Sequence, residues 1–89
     1  MPKIVATHAV VDVGRWLEGK EERAAAIESA SGSNVRDFVA LDGSNNIAVT
    51  ADVADIEAMK SMLAAPSPEV LAKMQEHGVI PPITAYIEA

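Results

Sequence analysis

Residues 3 to 12 alternate with the period of a strand, placing Val5, Thr7, Ala9 and Val11 on one face and Ile4, Ala6, His8, Val10 and Asp12 on the other. Both sets are mostly apolar, which predicts a strand covered on both sides. After Asp12 the period lengthens, and Val13, Trp16, Leu17, Lys20, Ala24 and Ile27 follow the i, i+3, i+4, i+7 spacing of a helix face. Asp12 is the expected N-cap and Gly32 the expected stop. Gly19 inside this helix costs about 1 kcal/mol relative to alanine, so a weak point or bend is expected there. The other face, with Arg15, Glu18, Glu21, Glu22, Arg23 and Glu28, reads as solvated.

Alternation resumes from Val35 to Asp42, with Val35, Val39 and Leu41 against Arg36, Phe38 and Ala40. Asp42-Gly43-Ser44-Asn45 carries hairpin turn residues, and Asn46 to Val53 forms the returning strand. Ile56, Met59, Met62 and Leu63 then mark a helix that breaks at Pro66. Ser67-Pro68 restarts it as N-cap and first helical residue, and Val70, Leu71 and Met74 carry it to His77-Gly78. Pro81-Pro82 ends the helical region in extended chain, and Ile83 to Glu88 predicts a last strand.

The order is β-α-β-β-α-β in a single domain spanning residues 1–89. With right-handed crossovers this order gives a ferredoxin-like α+β fold: a four-stranded antiparallel sheet, strands one and three central, helices on one face. Val35, Val39 and Leu41, then Ile47, Val49 and Ala51, then Ile83, Ala85 and Ile87 choose the helix side. For the first strand the more uniformly apolar set, Val5, Ala9 and Val11, is expected to join them, sending His8 to the opposite face. That open face would collect Ile4, Ala6, His8, Val10, Arg36, Phe38, Ala48, Thr50, Asp52, Tyr86 and Glu88. Apolar patches beyond roughly 300 to 600 Å² are unusual on monomers, so a second copy laid sheet against sheet is expected, with room for a small ligand between.

Composition narrows the partners. The 89 residues include 7 Lys and Arg against 13 Asp and Glu, a net charge of −6 with no positive field for phosphate backbones or anionic lipid. Nucleic acid and membrane are therefore set aside in favour of a homodimer and a small hydrophobic molecule. No cysteine is present, so neither a disulfide framework nor a thiol nucleophile is available. Ile4 to Val11 is too short and interrupted for a signal peptide, and a cytoplasmic location is expected.

Three segments carry a family resemblance: His8-x-Val10-x-Asp12-x-x-x-Trp16, the Asp42-Gly43-Ser44-Asn45-Asn46 hairpin, and the closing run with Ser67-Pro68-Glu69, Met74, His77-Gly78-Val79 and Pro81-Pro82. Together they resemble the dimeric α+β barrel superfamily, in particular its small cyclase-like and antibiotic-biosynthesis-monooxygenase-like members. The resemblance implies a homodimeric barrel with pockets between sheet and helices or within the barrel. It also implies a range of activities, among them cofactor-independent oxygenases, cyclases and isomerases, so function does not follow from fold.

His8 is the leading catalytic candidate, because an imidazole with an ordinary pKa near ~6.5 serves as a general base at neutral pH. Tyr86 and Arg36 are the candidates for positioning a substrate oxygen. Trp16, Phe38, Thr50 and His77 are the candidates for contact with substrate. Each has a structural alternative: an interface hydrogen bond for His8, an interface aromatic for Tyr86, a rim ion pair for Arg36, core packing for Trp16, and a helix C-cap for His77. Met59, Met62 and Met74 read as core filler. His8 and His77 share no metal-ligand spacing, and no glycine-rich phosphate loop or nucleophile elbow is present, so neither metal nor cofactor is expected. Two readings stay open: a cofactor-independent cyclase, isomerase or oxygenase acting on a hydrophobic, polyketide-like molecule, and a non-catalytic ligand-binding or stress protein.

Overall fold

The computed structural model describes residues 2–89. Its elements are β1 (Lys3–Val10), α1 (Val13–Glu18), α2 (Lys20–Ser29), β2 (Gly32–Val39), β3 (Asn46–Val53), α3 (Ile56–Ala64), α4 (Pro68–Glu76) and β4 (Val79–Ile87). The four strands form one antiparallel sheet in the order β2-β3-β1-β4, so β1 and β3 are central. This is the ferredoxin-like α+β layout expected from the order of elements.

The local signals act as their chemistry requires. Asp12 Oδ1 accepts from the Arg15 amide at 2.9 Å, Asp55 Oδ1 from Ala58 at 3.0 Å, and Ser67 Oγ from Val70 at 3.3 Å. Gly19 does divide the first helix, serving as C-cap of α1 and N-cap of α2. Gly78 follows the His77 C-cap of α4 with φ of 75°, the left-handed conformation that releases the chain into β4. Gly32 is not the stop: α2 ends at Ser29, Ser31 takes the positive φ of 74°, and Gly32 already begins β2.

One expectation of strand parity is overturned. In the β1–β3 register Ile4 stands opposite Ala51, Ala6 opposite Val49 and His8 opposite Ile47. Directly opposed residues share a face, and Ile47, Val49, Ala51 and Val53 are the buried, helix-facing set of β3. Ile4, Ala6, His8 and Val10 therefore face the helices, and Val5, Thr7 and Ala9 face away. Both sets were apolar enough to be buried; the pairing with β3 decided between them.

Under the helices the core is small. Val10, Trp16, Ile47 and Val49 form its closed part, with Val13, Ile27 and Val35 packed around them. Further along the sheet, α3 and α4 stand off from β1 and β3 and leave a cavity of about 490 Å³.

Candidate functional site

The cavity floor is sheet: Ile4 and Ala6 of β1, Val49, Ala51 and Val53 of β3, and Ile83 of β4. Its roof is α3 and α4, which contribute Met59, Met62 and Leu63, then Val70 and Met74. The three methionines are cavity lining as well as packing, and their unbranched thioether chains suit a wall that adapts to a ligand. Ala25 and Ala26 of α2 both line the cavity and are exposed, so it opens to solvent along that helix.

Polar groups gather on one side. His8 reaches the cavity wall half-buried, and its Nδ1 lies 2.9 Å from its neighbour's carbonyl, Ala9 O. A carbonyl only accepts, so Nδ1 carries the proton and Nε2 keeps its lone pair, with no protein partner among the described residues. Burial holds the His8 pKa below the ordinary 6.5, and the positive charge of Arg23 adds to this against the opposing bond to Ala9. At neutral pH His8 is an uncharged imidazole with a free nitrogen.

Arg23 and Asp37 stand beside it. Asp37 lies between Val35 and Val39 on the helix side of β2, and its Oδ1 accepts from Arg23 Nε at 3.2 Å, with side-chain exposures of only 2% and 11%. Asp37 Oδ2 and Arg23 Nη2 are buried without partners, and they are the two atoms that the second arm of a bidentate fork would join. Arg23 Nη1 donates to the Trp16 carbonyl at 2.9 Å, and the guanidinium carbon sits 3.9 Å from the centre of the indole ring. The indole in turn meets the His8 ring edge to face, 6.4 Å between centroids and 83° between planes.

His77 completes the group. An arginine N–H only donates, so His77 Nδ1 accepts from Arg23 Nη1 at 3.5 Å and Nε2–H donates to Glu22 Oε2 at 3.3 Å. Lys73 Nζ binds the same Glu22 oxygen at 3.1 Å. These bonds from Lys73 and His77 hold the Glu22 carboxyl below its usual range, and Glu22 and Glu76 raise Lys73. Arg15, across α1, donates from Nε to Glu76 O at 2.8 Å and from Nη2 to Gln75 O at 2.9 Å, closing the end of α4 that presents His77.

The residues proposed from sequence divide between two places. His8 and His77 line the cavity. Trp16 is fully buried in the core beneath His8 and is not part of the cavity surface. Tyr86 pairs with Val5, Phe38 with Ala48, and Arg36 with Thr50, which puts all of them on the sheet face away from the helices. Phe38 and Tyr86 are 48% and 58% exposed there. Thr50 alternates with Val49 and Ala51, so its side chain shares that outer face and what it offers the cavity is main chain. The expected trio of His8, Tyr86 and Arg36 is thus not assembled within one chain.

Arg23 and Asp37 were missed because Arg23 was read with the solvated face of its helix and Asp37 was passed over. A signal for each was present. Arg23 lies seven residues after Trp16, two helical turns along the same face, and Asp37 is a lone acid in the parity set of Val35 and Val39. Among the described residues no three His, Asp or Glu side chains come close enough to hold a metal ion.

Comparison with solved structures places the fold. SnoaB from Streptomyces nogalater, a cofactor-independent oxygenase, matches 99% of this chain over 92% of its own, with a TM-score of 0.63 and 17% identity. An antibiotic biosynthesis monooxygenase matches 100% of this chain over 97% of its own, with a TM-score of 0.66 and 13% identity. The fold is that of the antibiotic biosynthesis monooxygenase-like proteins. A dimeric ferredoxin-like protein from an uncultured marine organism matches 100% of this chain over 93% of its own, with a TM-score of 0.62 and 4% identity. No family model and no curated protein sequence matches the chain. At these identities the likeness is one of fold, and chemistry has to be read from the site. No helix among the described residues is long and apolar enough to cross a membrane.

Proposed function

We infer that the protein is a cofactor-independent oxygenase that takes an enolisable, largely apolar molecule into the cavity between helices and sheet. The observation that carries this reading is the neutral His8 imidazole, its Nε2 unpaired, on the wall of an apolar cavity of about 490 Å³. In the proposed reaction Nε2 takes a proton from a CH₂ group activated by flanking conjugation, leaving a delocalised carbanion beside the Arg23 guanidinium. The carbanion passes electrons to dioxygen; the CH₂ becomes a carbonyl, and the second oxygen atom leaves as water. The apolar lining favours the uncharged substrate, and the fold shared with SnoaB supports the assignment.

The same reading makes the protein a homodimer. The outer sheet face carries Val5, Ala9, Phe38, Ala48 and Tyr86, with Phe38 and Tyr86 largely exposed and no helix among the described residues on that side, and a fold neighbour is dimeric. Light scattering at micromolar concentration tests this, with a monomer as the contrary result.

Activity is tested by oxygen uptake with a polycyclic phenolic ketone bearing an acidic CH₂. His8→Ala is expected to lose at least about 10²-fold, the usual contribution of a general base. Uptake equal in wild type and His8→Ala removes the base assignment. One observation favours a non-catalytic binding protein instead: Tyr86 and Arg36, the candidates for orienting a substrate oxygen, lie on the other side of the sheet. Stoichiometric binding of the same ketone without oxygen uptake or proton exchange at its CH₂ would select that reading.

A further inference from the structure

We propose that Arg23, tethered by Asp37, is the positioning residue of this site: it clamps Trp16 into a plate against which the His8 ring stands with Nε2 left unpaired. The proposal rests on the reading of His8 as the base and adds the device that holds it.

Three contacts fix the guanidinium. Asp37 Oδ1 takes Nε from β2, the Trp16 carbonyl takes Nη1 from the end of α1, and His77 Nδ1 approaches Nη1 from the C-cap of α4. An arginine held from three elements has little freedom, and its face lies 3.9 Å from the centre of the Trp16 ring. Trp16 is wholly buried, and the guanidinium is one of the walls that enclose it, so the ring's place depends on Arg23. The His8 ring stands on the indole at 83°, and the Ala9 carbonyl fixes the remaining rotation by holding Nδ1.

A lysine cannot replace this arrangement. Its point charge offers no planar fork to engage Asp37 and the Trp16 carbonyl together and no flat face to lie on the indole. Buried arginine-carboxylate pairs add little net stability over well-packed apolar residues of similar volume. A role in orienting the site accounts for an otherwise costly pair directly beside its candidate base.

The other charged groups lining the cavity act at its rim. Glu22 on α2 is bound to Lys73 of α4 and to His77, and Glu69 lies at the start of α4. Glu22 and Lys73 offset one another, while Arg23 is the cation within reach of His8.

The chain has two histidines, so their imidazole resonances are readily assigned with His8→Gln as reference. The test follows, in the free protein, the His8–Trp16 nuclear Overhauser contact and the His8 titration midpoint in wild type, Arg23→Lys and Arg23→Met. In both variants the contact is expected to fall at least about twofold. In Arg23→Met the midpoint rises, though burial still holds it down, and in Arg23→Lys it stays nearer the wild-type value. If Arg23→Met does not fold, Arg23→Met/Asp37→Leu replaces the pair by apolar groups and is read in the same way. A contact retained at wild-type strength in a folded variant overturns the proposal, whether or not the midpoint moves, since Arg23 would then act by charge alone or not at all. No substrate enters this measurement, so its failure is separable from failure of the oxygenase assay.

Discussion

Gly19→Ala is expected to destabilise the protein through one specific contact, with His77. Gly19 has φ −87° and ψ 11°, a conformation open to alanine, so backbone strain plays no part. Removing a glycine gains about 0.4–1 kcal/mol by restricting the unfolded chain. Losing glycine at the N-cap of α2 costs up to roughly the same amount, since alanine is the poorer cap. The intrinsic change therefore lies within about 0.5 kcal/mol of zero. The added Cβ, however, would overlap Nε2, Cδ2 and Cε1 of His77, so the whole ring must move. The ring cannot move without loosening its bonds to Glu22 and Arg23. Forced overpacking of this kind costs roughly 1–3 kcal/mol, so about 2 kcal/mol is expected in the single variant. For a chain of this size that lowers the melting temperature by about 8–16 °C.

Urea unfolding of wild type, Gly19→Ala, His77→Ala and the double variant closes the cycle. With the ring gone, the alanine is expected to become neutral to within about 0.5 kcal/mol, leaving a coupling near 2 kcal/mol between positions 19 and 77. Gly19→Ala as stable as wild type, or equal costs in both backgrounds, would refute the account of His77 as seated against the glycine.

Three further outcomes are expected. The His8 pKa is lowered on folding, so the unfolded chain binds more protons below pH 6.5; the associated stability is complete above that pH and is lost as pH falls from there through the lower folded-state pKa, and His8→Gln should flatten the difference between urea midpoints at pH 7.5 and pH 5.5. Arg15→Met removes both side-chain bonds to the last carbonyls of α4, at an exposed site worth about 1 kcal/mol, and hydrogen exchange should show faster opening of residues 68–76 than of β1. Ala6→Leu extends a side chain from the cavity floor, and binding of the apolar fluorophore N-phenyl-1-naphthylamine should weaken at least about tenfold, while binding equal to wild type would mean the dye sits elsewhere.

Chain order and punctuation were legible from the sequence. The caps at Asp12 and Ser67, the bend at Gly19 and the break at Pro66 are local signals, and each depends on residues no more than a turn away. The order of elements then leaves few ways to connect them, which is why the sheet order followed. The candidate site was half legible. A histidine in an apolar strand marked His8, and the end of α4 marked His77, but their partners on α2 and β2 were read as solvated or not read at all.

What the sequence alone determined, then, is the set of elements and their order, because these follow from local backbone chemistry and periodicity, whereas β2 and β4 take other ends than the alternation predicts, Gly32–Val39 and Val79–Ile87. The tertiary structure alone decided which face of β1 meets the helices. Alternation gives two faces without labelling them, and in β1 both were apolar; the label comes from register against β3, a contact between residues some forty positions apart. That choice moved His8 from an expected dimer interface to the wall of a cavity inside its own chain, separated it from Tyr86 and Arg36, and gave it Trp16, Arg23 and Asp37 as neighbours.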